Sequence, residues 1–215
     1  VSNASSSKAT SIALTFTSNE VTTDFVASDI TLSGGSIGSL SGSGSVYTAT
    51  FTPSGDGTKT INVGAGVFTD AVGNENIASD TFTWNYDSTG PTMTITSSTV
   101  SSGTSSKATS IALTFTSSEV TTNFVGTDIT LSGGSIGSLS GSGSVYTATF
   151  TPSGDGPKSI NVAANKFTDA ADNTNTASNT FTWTYDGTAP TMTITSSTVS
   201  SGTSSKETSI ALTFT

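Results

Sequence analysis

Residues 7–17 read Ser-Lys-Ala-Thr-Ser-Ile-Ala-Leu-Thr-Phe-Thr; the phrase returns from Ser106 and, with Glu207 in place of the first Ala, from Ser205. Within it Ile12, Leu14 and Phe16 alternate with Ala13, Thr15 and Thr17. A strand sends successive side chains to opposite faces, so this spacing predicts a β-strand with one apolar face and one Thr-rich wet face. Thr suits the wet face because its β-branched side chain is tolerated on a pleated surface. The three copies place lysine at Lys8, Lys107 and Lys206, a period of 99 residues each time. Residues 1–98 align with 100–197 without a gap and are identical at 78 of 98 positions, which makes the chain a tandem array.

The same alternation runs outward from that phrase. Tyr47, Ala49 and Phe51 share a face, as do Ile61 and Val63, then Phe82, Trp84 and Tyr86, then Met93 and Ile95. No segment carries the i, i+3, i+4, i+7 stripe of an amphipathic helix. Gly34-Gly35, Gly42-Ser43-Gly44 and Gly55-Asp56-Gly57 punctuate the strands as turns. The complete unit is predicted to hold seven strands, at 92–97, 110–116, 128–132, 135–141, 145–151, 158–163 and 179–185. Short alternating strands separated by turns every 8–12 residues predict a β-sandwich. The expected fold class is all-β: tandem immunoglobulin-like sandwiches of about seven strands in an extended end-to-end array. The expected units are 1–88, which lacks its first strand, 89–187, and 188–215, the first two strands of a third. A chain cut within its units is expected to be a window on a longer array. Alternatively, its orphan C-terminal strands complete a neighbouring molecule by strand addition.

Composition excludes several kinds of chemistry within these residues. Ser and Thr account for 86 of the 215 residues and Gly for 22, and there is no Cys, His, Arg or Gln. Disulfides, Cys/His zinc sites, Ser-His-Asp triads and arginine clamps on phosphate cannot be built. Six lysines against 15 acids, a net charge of −9, argue against a nucleic-acid partner. No apolar run approaches the ~20 residues that cross a bilayer, so no membrane insertion is expected in this segment. What remains is hard-cation binding by oxygen ligands. In such a sandwich the linker leaving one unit lands beside the second-to-third and sixth-to-seventh strand loops of the next. For the complete junction this puts Asp87 beside Glu119, Asp128, Asp169, Asp172 and Asn173. The first unit holds the equivalents Glu20, Asp29, Asp70 and Asn74. Carboxylates so gathered would repel one another without a cation, and Ca²⁺ takes six to eight oxygens. Asp56 and Asp155, each flanked by glycines, read as tight-turn residues. Trp84, Trp183, Tyr86 and Tyr185 sit at strand spacing beside Phe82 and Phe181, which favours a core role over a sugar-stacking platform.

Several longer strings recur together. They include Phe16–Phe25 and Phe115–Phe124, Asp29–Gly35 and Asp128–Gly134, Gly42–Pro53 and Gly141–Pro152. Phe68–Asn74 and Phe167–Asn173, and Trp84–Pro91 and Trp183–Pro190, complete the set. Over the whole chain this resembles the bacterial Ig-like repeats of giant surface and secreted adhesins. The resemblance implies an extracellular, cell-surface β-sandwich array that spaces a binding domain away from a cell, often with Ca²⁺ at its junctions. Asp172 departs from the pattern, since Gly73 stands there in the first copy; the change alters the turn and adds a carboxylate. The expected function is therefore a structural stalk or filament segment supporting adhesion, not an enzyme. Its expected partners are neighbouring identical repeats in the same chain and other copies in a fibre. The alternatives are a fibre subunit completed by strand exchange between chains, and a glycan-binding module.

Overall fold

A computed structural model describes all residues, 1–215. The first unit contains β1 (Ser6–Ser7), β2 (Ile12–Thr22), β3 (Ile30–Ser33), β4 (Gly35–Ile37), β5 (Ser41–Pro53), β6 (Gly57–Val63) and β7 (Phe82–Tyr86). The second contains β8 (Met93–Ser97), β9 (Ser105–Ser106), β10 (Ile111–Thr121), β11 (Ile129–Ser132), β12 (Gly134–Ile136), β13 (Ser140–Pro152), β14 (Gly156–Val162) and β15 (Phe181–Tyr185). Beyond them β16 (Ile194–Ser196) and β17 (Leu212–Phe214) form a two-stranded hairpin. The only helical turns are 3₁₀ segments at Ala27–Asp29 and Gly126–Asp128, and no helix is long and apolar enough to cross a membrane.

The second unit is a sandwich of two four-stranded sheets, ordered β12-β13-β10-β8 and β11-β14-β15-β9. Every pairing is antiparallel except β9 with β15, where Ser105 and Ser106 run parallel to Thr184 and Tyr185. The alternation set out above decides which residues enter the space between the sheets. Ile111, Leu113 and Phe115 of β10 face Tyr146, Ala148 and Phe150 of β13 in register, and all six are buried. Phe150 meets Trp183 edge-on at 4.9 Å, and Phe124 meets Tyr146 and Phe167 edge-on, each at 5.2 Å. With Trp84 and Trp183 1% and 2% exposed, the tryptophans are core residues and form no sugar platform.

Three details differ from the predicted strands. The strand expected at 110–116 runs on to Thr121, because an irregularity between Thr116 and Thr121 lets it resume pairing at Gly143. Those expected at 135–141 and 145–151 are a three-residue β12 and one continuous 13-residue β13. The short parallel strands β1 and β9 carry only Ser-Ser, which has no alternation to read.

The first unit repeats this plan without a counterpart of β8. Its sheets are β4-β5-β2 and β3-β6-β7-β1, leaving β2 as an open edge. In the second unit Met93 and Ile95 of β8 close over the core, which holds 16 buried residues; the first unit's core holds eight. Leu113 and Phe115 are accordingly buried, whereas Leu14 and Phe16 are only half-buried.

Candidate functional site: the junction between units

Substantial strand-to-strand contact is confined within each unit, so the units meet through loops and the linker after β7. The linker is held to the first unit by Asp56. Its carboxylate accepts hydrogen bonds from the Ser88 N–H at 2.9 Å, the Ser88 hydroxyl at 2.7 Å and the Thr89 hydroxyl at 2.6 Å. Those donors, Thr89 first, hold the Asp56 carboxyl below its ordinary pKa of 3.8. Asp155 does the same for the next linker, accepting from Gly187 N–H at 2.7 Å and from the Thr188 hydroxyl. These aspartates therefore fasten linkers as well as make turns. The signal that could have shown it is the constant offset of 32 residues between each Gly-Asp-Gly turn and its linker, Ser88 in one copy and Gly187 in the other.

The second unit grips the same linker from the other side. Asn173 Nδ2 donates to the Asp87 carbonyl at 2.9 Å and to Asp169 Oδ2 at 2.9 Å. The Thr176 N–H donates to the Pro91 carbonyl at 3.0 Å. Lys8 of the first unit donates to the Asp172 carbonyl. Gly90 passes so close to the receiving loop that a Cβ there would sit 2.2 Å from the Thr174 carbonyl oxygen. Gly90→Ala is therefore expected to loosen the junction by about 1–3 kcal/mol without unfolding either sandwich. Faster hydrogen exchange at the Thr176 amide, with β13 unchanged, would report it. The following linker carries Ala189 at this position, where it is exposed.

Between these contacts Asp87, Glu119 and Asp169 bring one carboxylate oxygen each within 4.8 Å of one another. Asp87 comes from the linker, Glu119 from the end of β10, and Asp169 from the loop before β15. Asp169 is buried and the other two are half-buried. Burial first, then the charges of Asp87 and Asp169, raise the pKa of Glu119 above its ordinary 4.5.

The other residues predicted for this site are placed differently. Asn173 borders the cluster and points its amide hydrogens at Asp87 and Asp169, which positions them. Asp128 accepts the Val125 N–H at 2.9 Å and closes the 3₁₀ turn. Asp172 is exposed and contributes its carbonyl to Lys8. It keeps the turn that Gly73 makes in the first unit, by adopting φ 65° where Gly73 has 89°. A left-handed aspartate is tolerated but strained, so Asp172→Gly is expected to stabilise the second unit by about 0.5–1 kcal/mol in denaturant titrations. In the first unit Asp70 caps its own loop through Val72 N–H, Asn74 N–H and Asn74 Nδ2. Asp29 accepts the Val26 N–H, and Glu20 and Asn74 are exposed. Asp24 accepts from Thr22 and from Thr69, and these bonds lower its pKa to about 2.

A family model described as the bacterial Ig-like domain matches residues 1–86 and again 87–185. The chain belongs to the bacterial Ig-like domain family. Among solved structures it is similar to InvD of Yersinia pseudotuberculosis, at 19% identity and a TM-score of 0.42, covering 88% of this chain and 59% of that one. It is also similar to the C-terminal domain of the antigen I/II polypeptide BspA of Streptococcus agalactiae, at 9% identity and a TM-score of 0.33, covering 81% and 83%. Domains 4–9 of the surface layer protein SbsC match at 18% identity and a TM-score of 0.26, covering 91% and 32%. No curated protein matches the chain.

Proposed function

We propose that these bacterial Ig-like units are a structural spacer, a stalk or filament segment of an extracellular bacterial surface protein that supports adhesion. The observation that carries this reading is the linker held on both sides. Asp56 binds Ser88 and Thr89, while Asn173 and Thr176 bind Asp87 and Pro91. Pro91, which is buried, adds a fixed φ and restricts Gly90 before it. A linker so fastened transmits the direction of one unit to the next, and copying such a unit at constant length selects for reach. Each unit would add roughly 35–45 Å, from strands of 7–8 residues at ~3.3 Å plus loops.

Calcium shared by Asp87, Glu119 and Asp169 belongs to the same proposal. The donors fit a hard cation, being three carboxylates brought together from three separate segments. Bound there, the ion would tie the linker to β10 and to the loop before β15, and so stiffen the hinge. The spacer reading is tested by small-angle X-ray scattering on the 215-residue chain. An extended array is expected to give a radius of gyration of about 25 Å or more, against about 17 Å for a compact body of this length. The compact value would overturn the reading.

A further inference from the structure

Lys59 and Lys158 are the two buried lysines, 2% and 3% exposed. Each lies on the strand that leaves a Gly-Asp-Gly turn, β6 or β14, opposite a core tryptophan: Lys59↔Trp84 and Lys158↔Trp183. Lys59 shares its face with the buried Ile61 and Val63, so its side chain runs inside the sandwich. A buried ammonium is costly unless its hydrogens are engaged. The Lys59 ammonium donates to the Ser54 carbonyl at 3.0 Å and to the Gly55 carbonyl at 2.7 Å. It also lies 5.8 Å from the centre of the Tyr86 ring, a cation–π contact. Lys158 repeats this with the Ser153 and Gly154 carbonyls, at 3.0 and 2.7 Å, and with the Tyr185 ring, at 6.0 Å.

These partners flank the linker clamp. Ser54 and Gly55 immediately precede Asp56, the acceptor of the clamp, and Tyr86 immediately precedes the linker that Asp56 holds. With both carbonyls drawn inward to the lysine, the Asp56 side chain is left outward and exposed. Room for the lysine stem comes from a glycine. A Cβ at Gly34 would sit 2.6 Å from Lys59 Cδ, as one at Gly133 would from Lys158 Cδ. The two linkers differ, Ser88-Thr89-Gly90 against Gly187-Thr188-Ala189, yet lysine, stem glycine, aspartate and threonine are the same in both copies. Hydrogen bonds from Thr89 and then Ser88 outweigh the Lys59 charge in lowering the pKa of Asp56. The lysine therefore acts on Asp56 by placing it more than by attracting it.

We propose that Lys59 and Lys158 are positioning residues for the linker clamps. Each ammonium holds the turn and the root of the linker against one another, so that the aspartate beside it meets the linker from one direction. Without the ammonium the Ser54 and Gly55 carbonyls lose this donor, and the turn relaxes toward water and takes Asp56 with it. The proposal rests on the spacer reading and deepens it, because it names what fixes the direction in which one unit hands over to the next.

The test reads one end of the clamp by NMR in the 215-residue chain while the other end is changed. Lys59→Met keeps an apolar stem and removes the donors. It is expected to speed exchange of the Ser88 amide, whose acceptor is Asp56, ~5-fold relative to the amides of β5. Lys158→Met should do the same at the Gly187 amide, whose acceptor is Asp155. In the reverse direction, Thr89→Val removes a linker hydroxyl at an exposed site. It should speed exchange of the Lys59 ammonium protons ~5-fold, because coupling between two sites is reciprocal. A lysine that only fills the core is indifferent to Thr89. An unchanged Ser88 amide in a folded Lys59→Met chain, or an unchanged Lys59 ammonium in the Thr89→Val chain, overturns the proposal. Where the methionine variants fail to fold, the Thr89→Val measurement decides by itself. Extended scattering together with either unchanged exchange rate strikes the role of the lysines and leaves the spacer reading standing, whereas compact scattering strikes the spacer reading.

Discussion

Phe115→Ala is expected to cost the second unit about 3–5 kcal/mol, while Phe16→Ala, the same change one period earlier, costs the first unit less than half as much. The two phenylalanines occupy the same place in the same phrase. Phe115 is fully buried and lies opposite Ile95 of β8. Phe16 touches Phe25 at 5.7 Å but lies on β2, an edge strand here, and is only half-buried. Truncating a buried side chain loses its transfer free energy and leaves a cavity, whereas a side chain already partly in water loses less and water fills the gap. Hydrogen exchange read separately on β13 and β5 measures both costs in one chain. Equal costs would overturn the difference in burial between the two phenylalanines.

Calcium is the second large effect. With a dissociation constant of 10⁻⁴–10⁻³ M, usual for extracellular modules, 10 mM Ca²⁺ should stabilise the second unit by about 1.4–2.7 kcal/mol. It should also narrow the bending between units, and Glu119→Gln should remove most of both effects. Identical melting and scattering curves in chelator and in calcium would sink the metal reading while leaving the linker contacts as they are. The pH dependence has a definite sign. In chelator, Glu119 has its pKa raised by burial and by Asp87 and Asp169, so the folded state holds the extra proton. Its contribution is full below the ordinary 4.5 and is lost as pH rises through the raised value. Calcium competes with that proton, so the gain from the ion should grow across the same interval. Asp56 and Asp155 act in the opposite sense. Their lowered pKa values mean that the linker clamps hold above the ordinary carboxylate range and weaken as pH falls through the depressed values.

The alternation of Ile12, Leu14 and Phe16, repeated at intervals of 99 residues, was enough to establish strands, sandwich class and tandem order. Periodicity is a local property, and it says which face of a strand is dry before any partner is known. The buried Trp84 and Trp183 were legible for the same reason. Turn residues carry no such record. Asp56, Asp128, Asp169 and Asp172 all stand in turns and look alike in the chain. Yet Asp56 fastens a linker, Asp128 closes a 3₁₀ turn, Asp172 lends its carbonyl to Lys8, and Asp169 joins Asp87 and Glu119.

The repeat, the strand faces and the available chemistry, oxygen ligands and no catalytic histidine or cysteine, were thus determined by the order of residues alone. Which carboxylates meet was decided by the packing of one unit against the next. The covering of Phe115 was decided by the pairing of β8 with β10 inside the second unit. Both depend on segments far apart in sequence being brought within a few ångströms, and a pattern with a period of two residues holds no information about such distances.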